Sequence, residues 1–283
     1  MKAVLKYFLL YLLLYFLGAM VLAIPAMIVE SIVKGVNMDP DHLSGWTMSI
    51  LILGSQILPL YVFWKKKYSD LSFIKDPNLG RLLAWMFVGW LGCYLLLGVV
   101  LQYMPVFDWD VDILSSIEDM ALNPLGVICV CCLAPLVEEC VFRGAIERRL
   151  LEKNWNPIWA IVISALIFGI FHMNLLQGMT AFILGLFLGW VYYRTRNIWL
   201  CIFVHAVNNT WSTVASFIWG GDELIGEVDK YPIYVNLLLL VAAIVLLYAA
   251  VRLTGKTMRS KIPPIPATAS EPTDNDIQTP PAL

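Results

Sequence analysis

Charge is scarce in this chain of 283 residues: Asp, Glu, Lys and Arg make up 14% of it against 60% hydrophobic residues. A soluble domain carries roughly 25% charged residues, so a soluble enzyme or binding module is excluded as the whole account. There is no polar interval long enough for a second soluble domain. The longest before the C-terminal tail runs from Lys65 to Arg81 and holds only a connector. A small-residue cleavage site is missing after the first apolar run, so that run reads as a retained helix rather than a signal peptide. The six cysteines lack zinc or thioredoxin spacing, Cys129-Val130-Cys131-Cys132 included, and read as small packing residues. Inverted or parallel repeats of the kind transporters often carry are not visible either. The basic run Lys65-Lys66-Lys67 is too short and too close to an apolar segment to be a nucleic-acid footprint. It reads as an orientation signal that touches anionic lipid head groups.

What is present is a series of long apolar runs. A helix needs about 20 residues to cross a hydrocarbon core of about 30 Å. About eight runs fit, at roughly 5–29, 45–64, 82–104, 122–146, 157–175, 178–193, 198–219 and 233–253. The expected architecture is all-α, a polytopic membrane helix bundle of about eight transmembrane helices. Basic residues alternate from loop to loop: Lys2, Lys6, Lys65, Arg81, Arg148, Arg194 and Arg252 fall on one side, and Lys34 and Lys230 on the other. The positive-inside rule then predicts that both termini are cytoplasmic. The chain divides into three N-terminal spans over 1–121, a core over 122–220, a last span within 221–255, and a Pro-, Ser- and Thr-rich tail over 256–283 whose composition predicts disorder. His42, in an outer loop, reads as exposed.

Against this apolar background, ionisable residues stand out. Glu138, Glu139 and Arg143 lie inside the fourth run, His172 at the end of the fifth, and His205 with Asn209 in the seventh. An ionisable side chain at the centre of a bilayer costs about 2.5–3.5 kcal/mol even on lenient scales, so such residues face a bundle interior and mark function. Helical residues four apart share a face, and that spacing joins Glu139 to Arg143, Phe168 to His172, and His205 to Asn209. Three polar stripes can therefore meet in one cavity, assembling two carboxylates, two imidazoles and a carboxamide. That inventory suits hydrolysis: Glu138 as general base toward a water and then acid toward a leaving amine, His172 sharing the proton work, and His205 and Asn209 donating to an oxyanion. Arg143 is placed to pair with Glu139, Glu147 or both.

Taken together, Glu-Glu-x-x-x-Arg from Glu138 to Arg143, Phe-x-x-x-His from Phe168 to His172 and His-x-x-x-Asn from His205 to Asn209 resemble the CPBP intramembrane proteases, also called the CAAX prenyl protease or Abi family. The resemblance covers roughly residues 122–220. It implies an all-α membrane core and an endopeptidase acting on a membrane-anchored or hydrophobic substrate, a prenylated CAAX-type peptide among the candidates. By the same resemblance Glu138 and His172 activate the water, His205 and Asn209 stabilise the oxyanion, and Glu139, Arg143 and Phe168 match motif positions with catalytic or supporting roles. Zinc or a metal-free glutamate mechanism both remain open. Glu138, His172 and His205 form an acceptable donor set for zinc, yet no His-Glu-x-x-His sequence is present. A compact chain with small loops fits a bacterial plasma-membrane member. The expected partners are membrane lipid and a membrane-anchored protein or hydrophobic peptide, with no nucleic acid.

Two other functional classes remain compatible with the residues. One is a non-catalytic membrane regulator, such as a bacteriocin-immunity or scaffolding protein, in which the Glu-Glu-Arg cluster is only an internal ion pair fixing helix register. The other is a proton-coupled transporter, for which intramembrane Glu and His are ordinary equipment. A further tension lies in depth. Glu138 and Asn209 sit roughly 10–16 Å from their cytoplasmic helix ends, whereas His172 sits about 22 Å beyond Pro157 at about 1.5 Å per residue. A fifth helix that begins outside the bilayer, or tilted helices, would bring them level.

Overall fold

A computed structural model describes residues 1–35, 43–73, 76–105, 119–120, 122–219 and 230–258. The sequence-based readings for His42, for the acidic outer segments at 106–118 and 220–229, and for the tail from 259 onward lie outside these residues. The described chain is all helical, with no strand among the described residues. Eight helices run in order: α1 (Lys2–Lys34), α2 (Gly45–Lys65), α3 (Leu79–Val100), α4 (Pro124–Glu152), α5 (Pro157–Phe171), α6 (Leu175–Thr195), α7 (Ile198–Trp219) and α8 (Ile233–Thr257). Six of them, all but α5 and α7, are long and apolar enough to cross a membrane.

Helix starts follow local chemistry. Asn123 caps α4 by accepting from Gly126 N at 2.9 Å, and Asn156 caps α5 by accepting from Ile158 N at 2.9 Å, each followed by a proline whose missing N–H is no loss in the first turn. Asn174 caps α6 by accepting from Gln177 N at 2.8 Å. That last cap corrects the expected fifth span. The apolar run does not continue as one helix to residue 175: α5 stops at Phe171, Met173 takes a positive φ of 50°, and α6 starts at once. At 15 residues α5 is about 22 Å long, too short for a hydrocarbon core of about 30 Å.

The helices associate mainly as pairs, α1 with α2, α3 with α8, and α5 with α6, around α4, which touches α1, α2, α5, α6 and α7. One apolar cluster joins α1, α2, α4 and α5 through Tyr11, Phe63, Phe142 and Phe168. A second joins α3, α6, α7 and α8 through Met86, Trp90, Leu188, Val204 and Ala250. The outward faces of α1 and α8 stay apolar, with Leu5, Leu9, Leu13, Leu238, Val241 and Val245 exposed. Such a belt is costly in water and ordinary in lipid. The protein is an integral, multi-pass membrane protein.

Small residues allow the closest pairing. Gly18 of α1 and Gly54 of α2 meet backbone to backbone, and a Cβ on Gly54 would fall 2.2 Å from Gly18 O. In a membrane, helix association depends on this kind of close packing because lipid tails supply no hydrophobic contrast. Gly54→Leu should therefore force α1 and α2 apart and cost about 1–3 kcal/mol or more, as overpacking does. Thermal unfolding of purified protein checks this, and an unchanged midpoint would show that the pair is not set by these glycines.

Candidate active site

The site is built on α4, whose ladder is interrupted twice. Cys129–Leu133 and Phe142–Glu147 are π-helical, and between them runs the α-helical turn Ala134–Val141. Pro135 accounts for the first interruption. Ala134 N–H, which would serve Val130 O in a regular α-helix, reaches back to Cys129 O, and Pro135 has no N–H to offer in its place. The side chain of Asn209 on α7 fills the gap, with Nδ2 donating to Val130 O at 3.0 Å. Asn209 is thus fixed by a carbonyl that the proline strands. In the second interruption Arg148 N–H reaches Arg143 O, and Ser164 Oγ of α5 donates to Phe142 O at 2.9 Å.

The intervening turn presents Glu138 and Glu139 inward. Glu139 is fully buried, and its Oε1 accepts from Arg143 Nη1 at 2.9 Å and from His205 Nδ1 at 2.8 Å. Arg143, also fully buried, donates through Nη2 to Gly185 O of α6 at 3.1 Å. The geometry narrows the sequence-based expectation for Arg143. It pairs with Glu139 and not with Glu147, whose two oxygens have no hydrogen-bond partner among the described residues. The wider π turn from Phe142 to Glu147 explains this, because it breaks the i,i+4 alignment that the spacing implies.

His205 is the junction. With Nδ1 on Glu139, its other nitrogen, Nε2, faces Glu138 Oε2 at 3.6 Å. Glu138 is the one carboxylate of the three on this stretch that retains some exposure, at 7%, against 0% for Glu139 and Glu147. His172, the C-cap of α5, holds Nδ1 at 2.9 Å from Phe168 O. A carbonyl oxygen only accepts, so Nδ1 carries the proton, and in the neutral ring Nε2 is a free lone pair. A His–Glu–Arg arrangement of this kind fixes an imidazole in orientation and balances its charge, as the carboxylate does in a catalytic triad.

Phe168 joins the three motif helices. Its ring lies 5.0 Å from that of His172, 5.6 Å from that of His205 and 4.8 Å from that of Phe142, and the Arg143 guanidinium carbon sits 4.7 Å from its centroid. α5 is a short helix whose C-terminal end is stacked against α4, so His172 reaches the Glu138 region although it lies at the opposite end from Pro157. Glu138, Glu139, Arg143, Phe168, His172, His205 and Asn209 all belong to this one region of the bundle.

Among the described residues no three His, Cys, Asp or Glu side chains gather as a metal-binding group. Glu138 and His205 approach one another, and the Nδ1 bonds of His205 to Glu139 and of His172 to Phe168 O orient both rings and leave each Nε2 open, an arrangement that serves a bound water or a metal ion alike. All six cysteines are free, five of them buried.

These features define a class: an all-helical membrane protein with a buried Glu–His–Arg centre, flanked by the half-buried His172 and Asn209, at the meeting point of its fourth, fifth and seventh helices. Residues 121–211 match the family model described as Type II CAAX prenyl endopeptidase Rce1-like. The chain is also similar to the "Putative membrane peptidase YdiL" of Bacillus subtilis (strain 168), at 36% identity over 91 residues. That alignment covers 32% of this chain and 37% of the relative's length. No solved structure matches the chain.

The sequence reading missed Gly185 and Val130, which hold Arg143 and Asn209 through backbone oxygens. A carbonyl carries no signature in the sequence. Pro135, four residues before Glu139, was the one available hint that a backbone acceptor nearby would need a side-chain partner.

Proposed function

We propose that this protein is an intramembrane endopeptidase that hydrolyses a peptide bond in a membrane-anchored or hydrophobic substrate, a prenylated CAAX-type peptide being the first to test, by a metal-free mechanism. The observation that carries the reading is His205 held between two carboxylates, 2.8 Å from Glu139 and 3.6 Å from Glu138. A purely structural ion pair needs Glu139 and Arg143 but leaves Glu138 without a task.

Each group has a role set by its bonds. A water between Glu138 and His172 Nε2 gives its proton to Glu138 as its oxygen adds to the scissile carbonyl carbon. His205 Nε2–H, with Nδ1–H kept on Glu139, and the second N–H of Asn209 donate to the oxyanion that forms. Glu138 then passes its proton to the departing amine as the C–N bond breaks, which restores the carboxylate. Arg143 balances the charge of Glu139, and Phe168 keeps both imidazoles in place. On the outer side of His172, Ile170 and Met173 are exposed at 61% and 78%. An apolar rim there suits a substrate arriving from lipid.

The test is cleavage of a farnesylated CAAX peptide and of a pooled set of unmodified hydrophobic peptides by detergent-purified protein, with and without chelator. Wild-type cleavage that survives chelation, and is absent in Glu138→Ala, is the expected result. Loss on chelation with recovery on added zinc would replace the metal-free mechanism, and an inert wild type would sink the peptidase reading. Asn209→Ala should lower kcat by about 10²- to 10³-fold, the usual loss for one oxyanion donor. A loss below about threefold would leave Asn209 as a helix tie alone.

A further inference from the structure

The C-terminal ends of α6 and α8 enclose a cavity of about 390 Å³, lined by Trp190 and Arg194 from α6 and by Val251, Arg252, Gly255 and Lys256 from α8. Its size falls within the range of about 300–1,000 Å³ that ligand pockets occupy. Three of the lining residues are cations and none is a carboxylate. Arg194, Arg252 and Lys256 form no ion pair among the described residues, whereas Arg148 and Arg149 at the end of α4 share Glu152, at 2.9 and 3.3 Å. Arg194 reaches across to α8, with its Nη2 3.9 Å from where a Cβ on Gly255 would sit. Cations in a last turn complement the helix dipole, but that effect does not require cations of two helices to converge on one cavity.

α6 and α8 are not themselves a packed pair, since α6 packs along α5 and α8 along α3. Three like charges held in the space between their ends repel one another, and an anion among them turns that repulsion into attraction. The neighbouring surface indicates which anion. Val241, Val245 and Tyr248 precede Arg252 and Lys256 at spacings of three and four residues, so all five share one face of α8. The first three are exposed, at 58%, 57% and 64%, and the Arg252 guanidinium carbon lies 5.9 Å from the centroid of Tyr248. From Val241 to Arg252 this face runs about 16 Å at about 1.5 Å per residue, close to one leaflet of a hydrocarbon core about 30 Å thick. An apolar stripe one leaflet long that ends in cations matches the acyl chains and the phosphate of a phospholipid. Free phosphate would engage the cations and leave the stripe without a part. Trp190, at the cavity wall, belongs to the residue type that favours the head-group level.

We propose that this cavity is a binding site for an anionic phospholipid, with the phosphate held by Arg194, Arg252 and Lys256 and the acyl chains lying along Val241, Val245 and Tyr248. Basic pockets between membrane helices take such head groups, and a guanidinium can grip a phosphate through two parallel N–H bonds. The lipid ties α8, which lies outside the segment that matches the family model, to α6, whose Gly185 O receives Arg143. The site stands whether or not the protein is a peptidase.

The test is the thermal midpoint of full-length protein in an uncharged detergent, titrated separately with phosphatidylglycerol, phosphatidylcholine and inorganic phosphate. Phosphatidylglycerol should raise the midpoint to a plateau, and the other two should not at the same concentrations. Arg252→Gln combined with Lys256→Gln should weaken the apparent affinity for phosphatidylglycerol about 30-fold, the loss expected of two cations at a lipid surface. Lys65→Gln combined with Lys67→Gln removes the same charge from the end of α2 and should keep the wild-type affinity. Native mass spectrometry supplies a readout that does not depend on unfolding: the Arg252/Lys256 variant should retain one phosphatidylglycerol fewer than wild type. Equal affinity and equal retention in wild type and that variant overturn the proposal. An equal loss in the Lys65/Lys67 control overturns it as well, by reducing the effect to net charge. Stabilisation by inorganic phosphate as strong as that by the lipid would assign the cavity to a soluble anion instead.

Discussion

Glu138→Gln removes peptide cleavage almost entirely, about 10⁴-fold, while the protein still folds and unfolds at the wild-type temperature. The factor lies at the upper end of what general acid–base catalysis supplies, because one carboxylate is asked to act twice, first taking the proton of water and then giving it to the amine. The amide is the same size and can still accept from His205 Nε2, but it cannot take a proton at neutral pH. Folding is spared because Glu138 is not part of the tight ion pair: its nearest partner is the His205 imidazole at 3.6 Å, whereas Glu139 holds both Arg143 and His205 within 2.9 Å. Glu139→Gln supplies the contrast, since it takes charge from the group that orients His205 and should lower stability along with rate. Steady-state cleavage and thermal unfolding of both variants decide the matter. More than a tenth of wild-type activity in Glu138→Gln would move the base to His172, the other group whose free Nε2 can take a proton.

The same contrast separates the competing readings of the site. An internal salt bridge that only fixes helix register explains Glu139, Arg143 and their burial, and it predicts that Glu138 is replaceable by any apolar residue of similar volume. A proton-coupled transporter would need the two carboxylates to exchange partners as helices move, but Glu139 is bound on one oxygen by two donors from two helices, and Arg143 is tied to the backbone of a third. A carboxylate so fixed suits a positioning role better than a moving one.

How much of this was legible in the sequence depends on the range over which each interaction acts. Glu139 and Arg143 were readable as a pair because they sit one turn apart on an α-helical stretch. Glu147, at the same spacing from Arg143, was not, because the register changes to π between them, and periodicity alone assumes a regular helix. The break between α5 and α6 was signalled by Asn174 with Gln177 three residues on, a helix-start pattern. Hydropathy alone separated the two runs but set the boundary a few residues late, at 175–178, because the apolar residues continue past Phe171 to the start of α6. Asn209 was legible as a candidate but its partner was not, because Val130 O is exposed as an acceptor only through the ladder defect that Pro135 causes. Tyr11 reads as one aromatic in an apolar run, and only the fold packs its ring against Phe142 and Phe171.

Arg143→Ala should be the most destabilising single substitution at the site, by about 3–5 kcal/mol, the usual result of removing one partner from a buried ion pair. Three losses combine. Glu139 would keep its charge at 0% exposure with His205 as its remaining partner, Gly185 O would lose its donor, and the face of Phe168 would lose the guanidinium 4.7 Å from its centroid. Arg143→Lys should recover only part of this, since an ammonium is a point donor and cannot reach Glu139 and Gly185 O in the fixed fork that the guanidinium provides. Adding Glu139→Gln to Arg143→Ala should restore stability above the single variant, because the unpaired charge is then gone, and the coupling read from the double-mutant cycle isolates the pair. Denaturant or thermal unfolding in one detergent gives all four corners of that cycle. A cost below about 1 kcal/mol for Arg143→Ala would mean that water reaches Glu139, and a wet, solvated Glu139 would no longer hold His205 in the single orientation that the proposed reaction requires.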